Sequence, residues 1–303
     1  MERSLREEIN YQWTYGGAHI KLIGINLVVF LLIGILMAFG RLGFGEGSNP
    51  VAIVIHWVFT LHGNFIGFLQ RPWGIITSIF AHFELFHFLF NMIFLYFSSL
   101  LFLRYFSNKR LIYTYVLGGI LGGIFQIIAY SVFPALQGTT SYVVGASGSV
   151  LAIFMAVAFY RPMETIYLFG LIRVKLILIA GIFILLDLLR LGTQDNVAHF
   201  AHLGGIAFGA WSIKDVPDPY NIVNLVQRKV ENLQRKFKKE PRMKVRKGGS
   251  KKSYNTSSDE AYQSNKKAKQ EEIDAILDKI SKSGYDSLTK KEKQILFDQS
   301  KNG

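Results

Sequence analysis

Val144-Gly145-Ala146-Ser147-Gly148-Ser149-Val150 leads into Leu151-Ala152-Ile153-Phe154-Met155-Ala156-Val157-Ala158-Phe159, a run without a charge. A serine set between glycines at the start of an apolar helix is one way a chain exposes a hydroxyl nucleophile. Small residues at such a place equally let transmembrane helices pack closely, so the motif alone is weak. Its meaning depends on what the rest of the chain brings to the same depth.

Half of the 303 residues are hydrophobic and the mean hydropathy is positive. That composition points to an integral membrane protein before a soluble one. With no cysteine there can be no disulfide framework, thiolate nucleophile or cysteine-based metal site. The net charge of +13 is uneven: from Lys214 onward lie 22 of the 34 basic and 13 of the 21 acidic residues, a net +9. A basic tail on an apolar body reads as an extension near anionic lipid, and no nucleic-acid module is visible.

Six apolar segments follow one another: Ile20 to Phe39, Ala81 to Leu103, Leu111 to Phe133, Ser147 to Tyr160, Ile166 to Leu189 and Val197 to Ile213. The fold class expected is an all-α, polytopic membrane protein with six transmembrane helices. Its fourth helix is short and buried, and its long first loop, residues 41–75, lies in the membrane interface with Phe44, Trp57, Phe59 and Trp73. Arg104, Lys109 and Arg110 lie between spans two and three, and Arg161, Arg173 and Lys175 between four and five or in the first turns of span five. The positive-inside rule then puts both termini in the cytoplasm. Residues 1–18 read as a cytoplasmic lead, 19–213 as the membrane domain, 214–268 as a basic and largely disordered cytoplasmic linker, and 269–303 as a short helical hairpin. In the hairpin, Ser283-Gly284-Tyr285-Asp286 reads as a turn and Thr289 with Glu292 as a capping box. A cytoplasmic partner for this tail is expected.

Ionisable and polar groups inside spans are costly, so their depth is informative. Span four has 14 residues, about 21 Å at 1.5 Å per residue, against a core of roughly 30 Å. Ser147 therefore lies roughly 9 Å below the outer face. His202, counted back from Lys214, stands about 18 Å above the cytoplasmic side, Asn91 about 20 Å and His87 about 26 Å. His87 and Asn91 are four apart and share a helix face. His82 falls near the outer boundary. An imidazole can activate the serine. An amide, a second imidazole and a backbone N–H can hold a developing oxyanion. Ala201, Gly204, Gly205 and Gly209 would let span six approach span four. Asp187, near the outer end of span five, is the one carboxylate that could share this level, and a Ser–His dyad is the simpler expectation. His199 reads as a structural partner. The histidines lack ligand spacing, so neither metal nor cofactor is expected.

These residues resemble the rhomboid family of intramembrane serine proteases. The resemblance covers roughly residues 70–210: His82-x4-His87-x3-Asn91, Gly145-Ala146-Ser147-Gly148, and Ala201-His202-x2-Gly205-x3-Gly209. It implies a six-helix rhomboid-like bundle, with Ser147 as nucleophile, His202 as general base, and His87 and Asn91 in the oxyanion hole. His82, Gly145, Gly148, Gly205 and His199 would support them. It implies cleavage of transmembrane-protein substrates near the membrane surface, among membrane lipids, in a multi-pass protein expected in a bacterial plasma membrane. Three positions depart from the family pattern: Trp73-Gly74 replaces its Trp-Arg pair, Val197 a glycine, and Leu151 an aromatic against the histidine. The alternative function is a non-catalytic rhomboid-like protein that binds and routes client helices.

Overall fold

The computed structural model describes residues 4–45, 49–137, 141–168, 170–192, 198–237 and 256–302. The chain divides into two compact units, Met1–Lys238 and Lys239–Gly303. In the first, α1 (Leu5–Tyr15) and α2 (Ala18–Phe44) precede the loop elements α3 (Pro50–Phe59), β1 (Leu61–His62), α4 (Phe65–Gln70) and α5 (Gly74–Thr77). A 3-10 turn, Ser78–Phe80, leads to α6 (Leu85–Phe102) and α7 (Asn108–Val132). Then come β2 (Tyr142–Val143), α8 (Ser147–Tyr160), β3 (Thr165–Leu168), β4 (Ile172–Lys175), α9 (Leu176–Leu189), α10 (His199–Ser212) and α11 (Ile222–Phe237).

The unit is built around α8, which is buried from Gly148 to Ala158 and contacts α6, α7, α9 and α10. A helix apolar on every side is a buried helix, so its sequence fits that place. Between helices in lipid no hydrophobic effect is left to gain, and close packing takes over. A Cβ on Gly205 would fall on the Gly148 backbone, and one on Gly122 would come within 2.5 Å of the Ala201 carbonyl oxygen. These contacts fix α10 against both α7 and α8.

Outside this centre the surface is apolar. Val28, Leu31, Ile35 and Phe39 are exposed along α2, and Phe86, Phe90, Ile93 and Phe97 along α6. Stripes of that size suit lipid rather than water. Among the described residues α2, α6 and α7 are long and apolar enough to cross a membrane, and α3, α8 and α9 are shorter apolar helices. Buried polar groups are tied together: Tyr115 donates to the Ile79 carbonyl at 2.8 Å, and Asn26 donates to the Tyr115 hydroxyl at 3.0 Å.

Several segments differ from their sequence reading. α6 starts at Leu85, so His82 lies ahead of the helix. Residues 165–175 form an antiparallel hairpin, pairing Thr165 with Lys175 and Leu168 with Ile172. Arg173 and Lys175 are thus strand residues, not the first turns of span five, and α9 starts only at Leu176. The alternating, β-branched stretch Ile172-Arg173-Val174-Lys175 explains it. With a second pair, β1–β2, the architecture is mostly helical rather than all-α.

The segment after Lys214 opens with a helix. α11 occupies residues 222–237, and Arg110 holds it there. The Arg110 guanidinium donates to Asn224 Oδ1 at 3.0 Å, to Asn221 Oδ1 at 3.1 Å and to the Ser212 carbonyl. Residues 238–255 of that linker lie outside the described ones. In the second unit α12 (Thr256–Ser283) begins inside the stretch read as linker, and α13 (Lys290–Asn302) follows a turn at Gly284. Glu292 accepts from the Thr289 N–H at 2.7 Å, and the Lys279 ammonium lies 2.9 Å from the same carboxylate.

Candidate active site

Ser147 is the first residue of α8, where a helix has backbone N–H groups without intrahelical acceptors. The turn before it is fixed from three sides. Its strand β2 pairs with β1, setting Val143 opposite Leu61. The Gly145 N–H donates to the Ser78 carbonyl at 3.0 Å. The Ala146 N–H donates to His82 Nε2 at 3.3 Å. Gly145 has φ +121, a conformation that favours glycine, and an added Cβ would lie 2.7 Å from His87 Cε1. His82 thus braces the turn, and the His82 and His87 rings meet edge to face at 5.2 Å.

His202 is in the first turn of α10, and its N–H donates to the Ala198 carbonyl. Close packing at Gly205 and Gly148 brings that turn to Ser147. The Ser147 hydroxyl lies 2.8 Å from His202 Nε2. Asn91 is buried on α6, its amide donating to the His87 carbonyl at 2.8 Å. His199 is buried one turn ahead of His202.

One residue of the cluster was read otherwise in the sequence. Asp187 Oδ1 lies 2.9 Å from His202 Nδ1 and 2.6 Å from His199 Nδ1, with its side chain only 8% exposed. Asp187 thus stands at the level of His202 rather than near the outer end of its span. The reason is the hairpin: counted from Leu176, Asp187 is about 17 Å up its helix, level with His202 at about 18 Å. Counted from Ile166, it falls too high. A single acidic residue in an otherwise apolar helix was the signal available. Asp187, His199 and His202 are also, by residue type, a group that could hold a metal ion. Their separations are those of hydrogen bonds, with both imidazoles on one carboxylate oxygen.

Ser147, Asn91 and His202 wall two cavities at once. One, of about 700 Å³, has a mixed lining, with Thr60, Glu84 and His87 beside Phe83, Val143 and Val144, and is more polar than the other. The other, of about 390 Å³, is lined by Phe90, Phe94, Leu151, Phe183 and Leu186, side chains of α6, α8 and α9. A hydroxyl with an imidazole at hydrogen-bonding distance, set between a mixed and an apolar space, can be activated as a nucleophile.

Residues 69–214 match the Rhomboid domain. A relative in Arabidopsis thaliana, RHOMBOID-like protein 12, mitochondrial, is 36% identical over 148 residues, covering 45% of this chain and 44% of that protein. The chain spans less than half the length of the curated relative it matches. Fold, site and these matches define an integral membrane protein. The domain at residues 69–214 and this relative support a rhomboid family assignment. Residues 256–302 match a different model, described as a family of unknown function (DUF6576).

Proposed function

We propose that this chain is an intramembrane serine endopeptidase acting on transmembrane segments of other proteins. The observation that carries the reading is the 2.8 Å contact between the Ser147 hydroxyl and His202 Nε2 at the shared wall of the two cavities. Ser147 Oγ attacks the scissile carbonyl carbon and its proton passes to His202 Nε2. The oxyanion is held by the Ser147 backbone N–H, with Asn91 and His87 as further donors. His202 then gives the proton to the leaving amine, and water entering from the more polar cavity hydrolyses the acyl-enzyme by the same path in reverse.

The substrate helix enters between α6 and α9, where Phe90, Phe94, Phe183 and Leu186 offer an apolar wall. A helical peptide bond is closed to attack, so substrates carry small or helix-breaking residues near the cut. We assign the six spans to α2, α6, α7, α8, α9 and α10, with both termini on the cytoplasmic side. The cations at Arg104, Lys109, Arg110 and Arg161 support that orientation.

The test is cleavage of a reporter transmembrane substrate in lipid vesicles by the full chain and its Ser147→Ala and His202→Ala variants. Both variants are expected to be inactive, and a fluorophosphonate should label the parent but not Ser147→Ala. Undiminished cleavage by either variant would refute the assignment. A parent chain that binds client helices but neither cleaves nor takes the label would establish the routing function instead.

A further inference from the structure

Asp187 Oδ1 receives two imidazole nitrogens, His202 Nδ1 at 2.9 Å and His199 Nδ1 at 2.6 Å. An ionised carboxylate only accepts hydrogen bonds, so both Nδ1 atoms must carry protons. For His202 this leaves the lone pair on Nε2, the atom that faces the Ser147 hydroxyl. The neighbours are buried: side-chain exposure is 8% for Asp187, 7% for His199 and 16% for His202. Water therefore competes little for these groups. Leu151, which also lines this wall, has no group that could orient the ring by a hydrogen bond.

We propose that Asp187 is a positioning residue for His202, and that His199 holds the Asp187 carboxylate in place. The proposal rests on the endopeptidase reading above and deepens it from a Ser–His pair to a relay of three side chains supported by a fourth. In the attack step the Ser147 O–H bond breaks, the Oγ–carbon bond forms, and His202 becomes an imidazolium. Asp187 keeps its charge throughout. It fixes the tautomer before the step and stabilises the cation after it. Because the carboxylate comes from α9 and both histidines from α10, the relay also joins the two helices beside the apolar cavity. Nothing in the hydrogen-bond geometry requires His199 to touch substrate; its contribution passes through Asp187.

The experiment uses the full chain in lipid vesicles with a fluorogenic transmembrane reporter, comparing the parent with Ser147→Ala, Asp187→Asn, Asp187→Ala and Asp187→Glu. Asp187→Asn keeps the shape and an acceptor oxygen but removes the charge. It should lower kcat on the order of 10²-fold to 10⁴-fold with KM changed less than about threefold. Asp187→Ala should lose as much or more, and Asp187→Glu should recover part of the rate. Histidine labelled with ¹⁵N adds a signature independent of the variants: His202 of the parent should be in the Nδ1–H form. An Nε2–H parent overturns the proposal even where a variant fails to fold. So does Ser147-dependent cleavage at full kcat in a folded Asp187→Asn, or a loss carried wholly by KM that glutamate does not rescue. Cleavage that survives in Ser147→Ala refutes the endopeptidase reading itself, whatever Asp187 does.

Discussion

Replacing Gly205 by alanine tests whether helix packing and catalytic geometry are coupled. A Cβ there would overlap the Gly148 carbonyl oxygen and come within 2.8 Å of its carbon and 3.0 Å of its Cα. These are backbone atoms and cannot rotate aside. The oxygen is the nearest of them, and relieving its overlap moves α10 off α8 by about 1 Å at this point. His202 stands three residues earlier on the same helix, and its Nε2 is 2.8 Å from the Ser147 hydroxyl. The same displacement there stretches the contact to about 3.8 Å, beyond a hydrogen bond. Overpacking of this kind costs about 1–3 kcal/mol, and a misplacement near 1 Å costs on the order of 10²-fold in rate. Gly205→Ala should therefore lower kcat/KM by roughly 10-fold to 100-fold and weaken resistance to denaturant by about 1–3 kcal/mol. The assay is reporter cleavage in vesicles alongside equilibrium unfolding of the same preparation. Gly34→Ala is the control, because nothing lies within 4 Å of a Cβ at Gly34. Full activity and unchanged stability in Gly205→Ala would refute the coupling.

Three further outcomes follow from the same geometry. Asn91→Ala removes an amide from the wall shared with Ser147, and kcat should fall on the order of 10²-fold with KM little altered, read from steady-state cleavage. Arg110→Ala leaves Asn221, Asn224 and the Ser212 carbonyl without their guanidinium partner. It should cost about 2–4 kcal/mol and speed amide exchange across residues 222–237, measured by mass spectrometry. In the second unit, the Thr289 cap and the Lys279 ammonium hold Glu292 down to about 2, from 4.5. A depressed carboxylate contributes stability above its unfolded pKa, so α13 should be fully protected above pH 4.5 and lose protection as pH falls from there toward 2. Amide exchange over residues 290–296 follows this, and Glu292→Gln should abolish the dependence.

The sequence carried more of the site than of the loops around it. Ser147–Tyr160 was readable to the residue because a glycine turn opens the helix and Arg161-Pro162 closes it. The depth of Ser147, His202 and Asn91 followed from counting helical rise, which holds wherever helix ends are known. Asp187 was set too near the outer face because that condition failed: an apolar stretch with β-branched residues, Thr165 to Lys175, satisfies a hydropathy window yet pairs as two strands. His82 was placed on a helix for a similar reason. A 3-10 turn and an extended segment precede α6, and periodicity does not mark either. The clasp on α11 depends on a buried arginine whose partners lie more than 100 residues away, and pattern along the chain has no access to such pairs.

The shared wall at Ser147 has a kinetic meaning. If the chain is the endopeptidase proposed above, the peptide reaches this wall through the apolar cavity and water through the other, so the two reactants travel from different phases and meet at a covalent intermediate. Acylation is then ordered by how fast a substrate helix diffuses and unwinds in the bilayer plane. Deacylation is ordered by the thermodynamic activity of water outside it. On that reading the two half-reactions would answer to separate surroundings, the bilayer for one and the aqueous phase for the other, although a single serine would perform both.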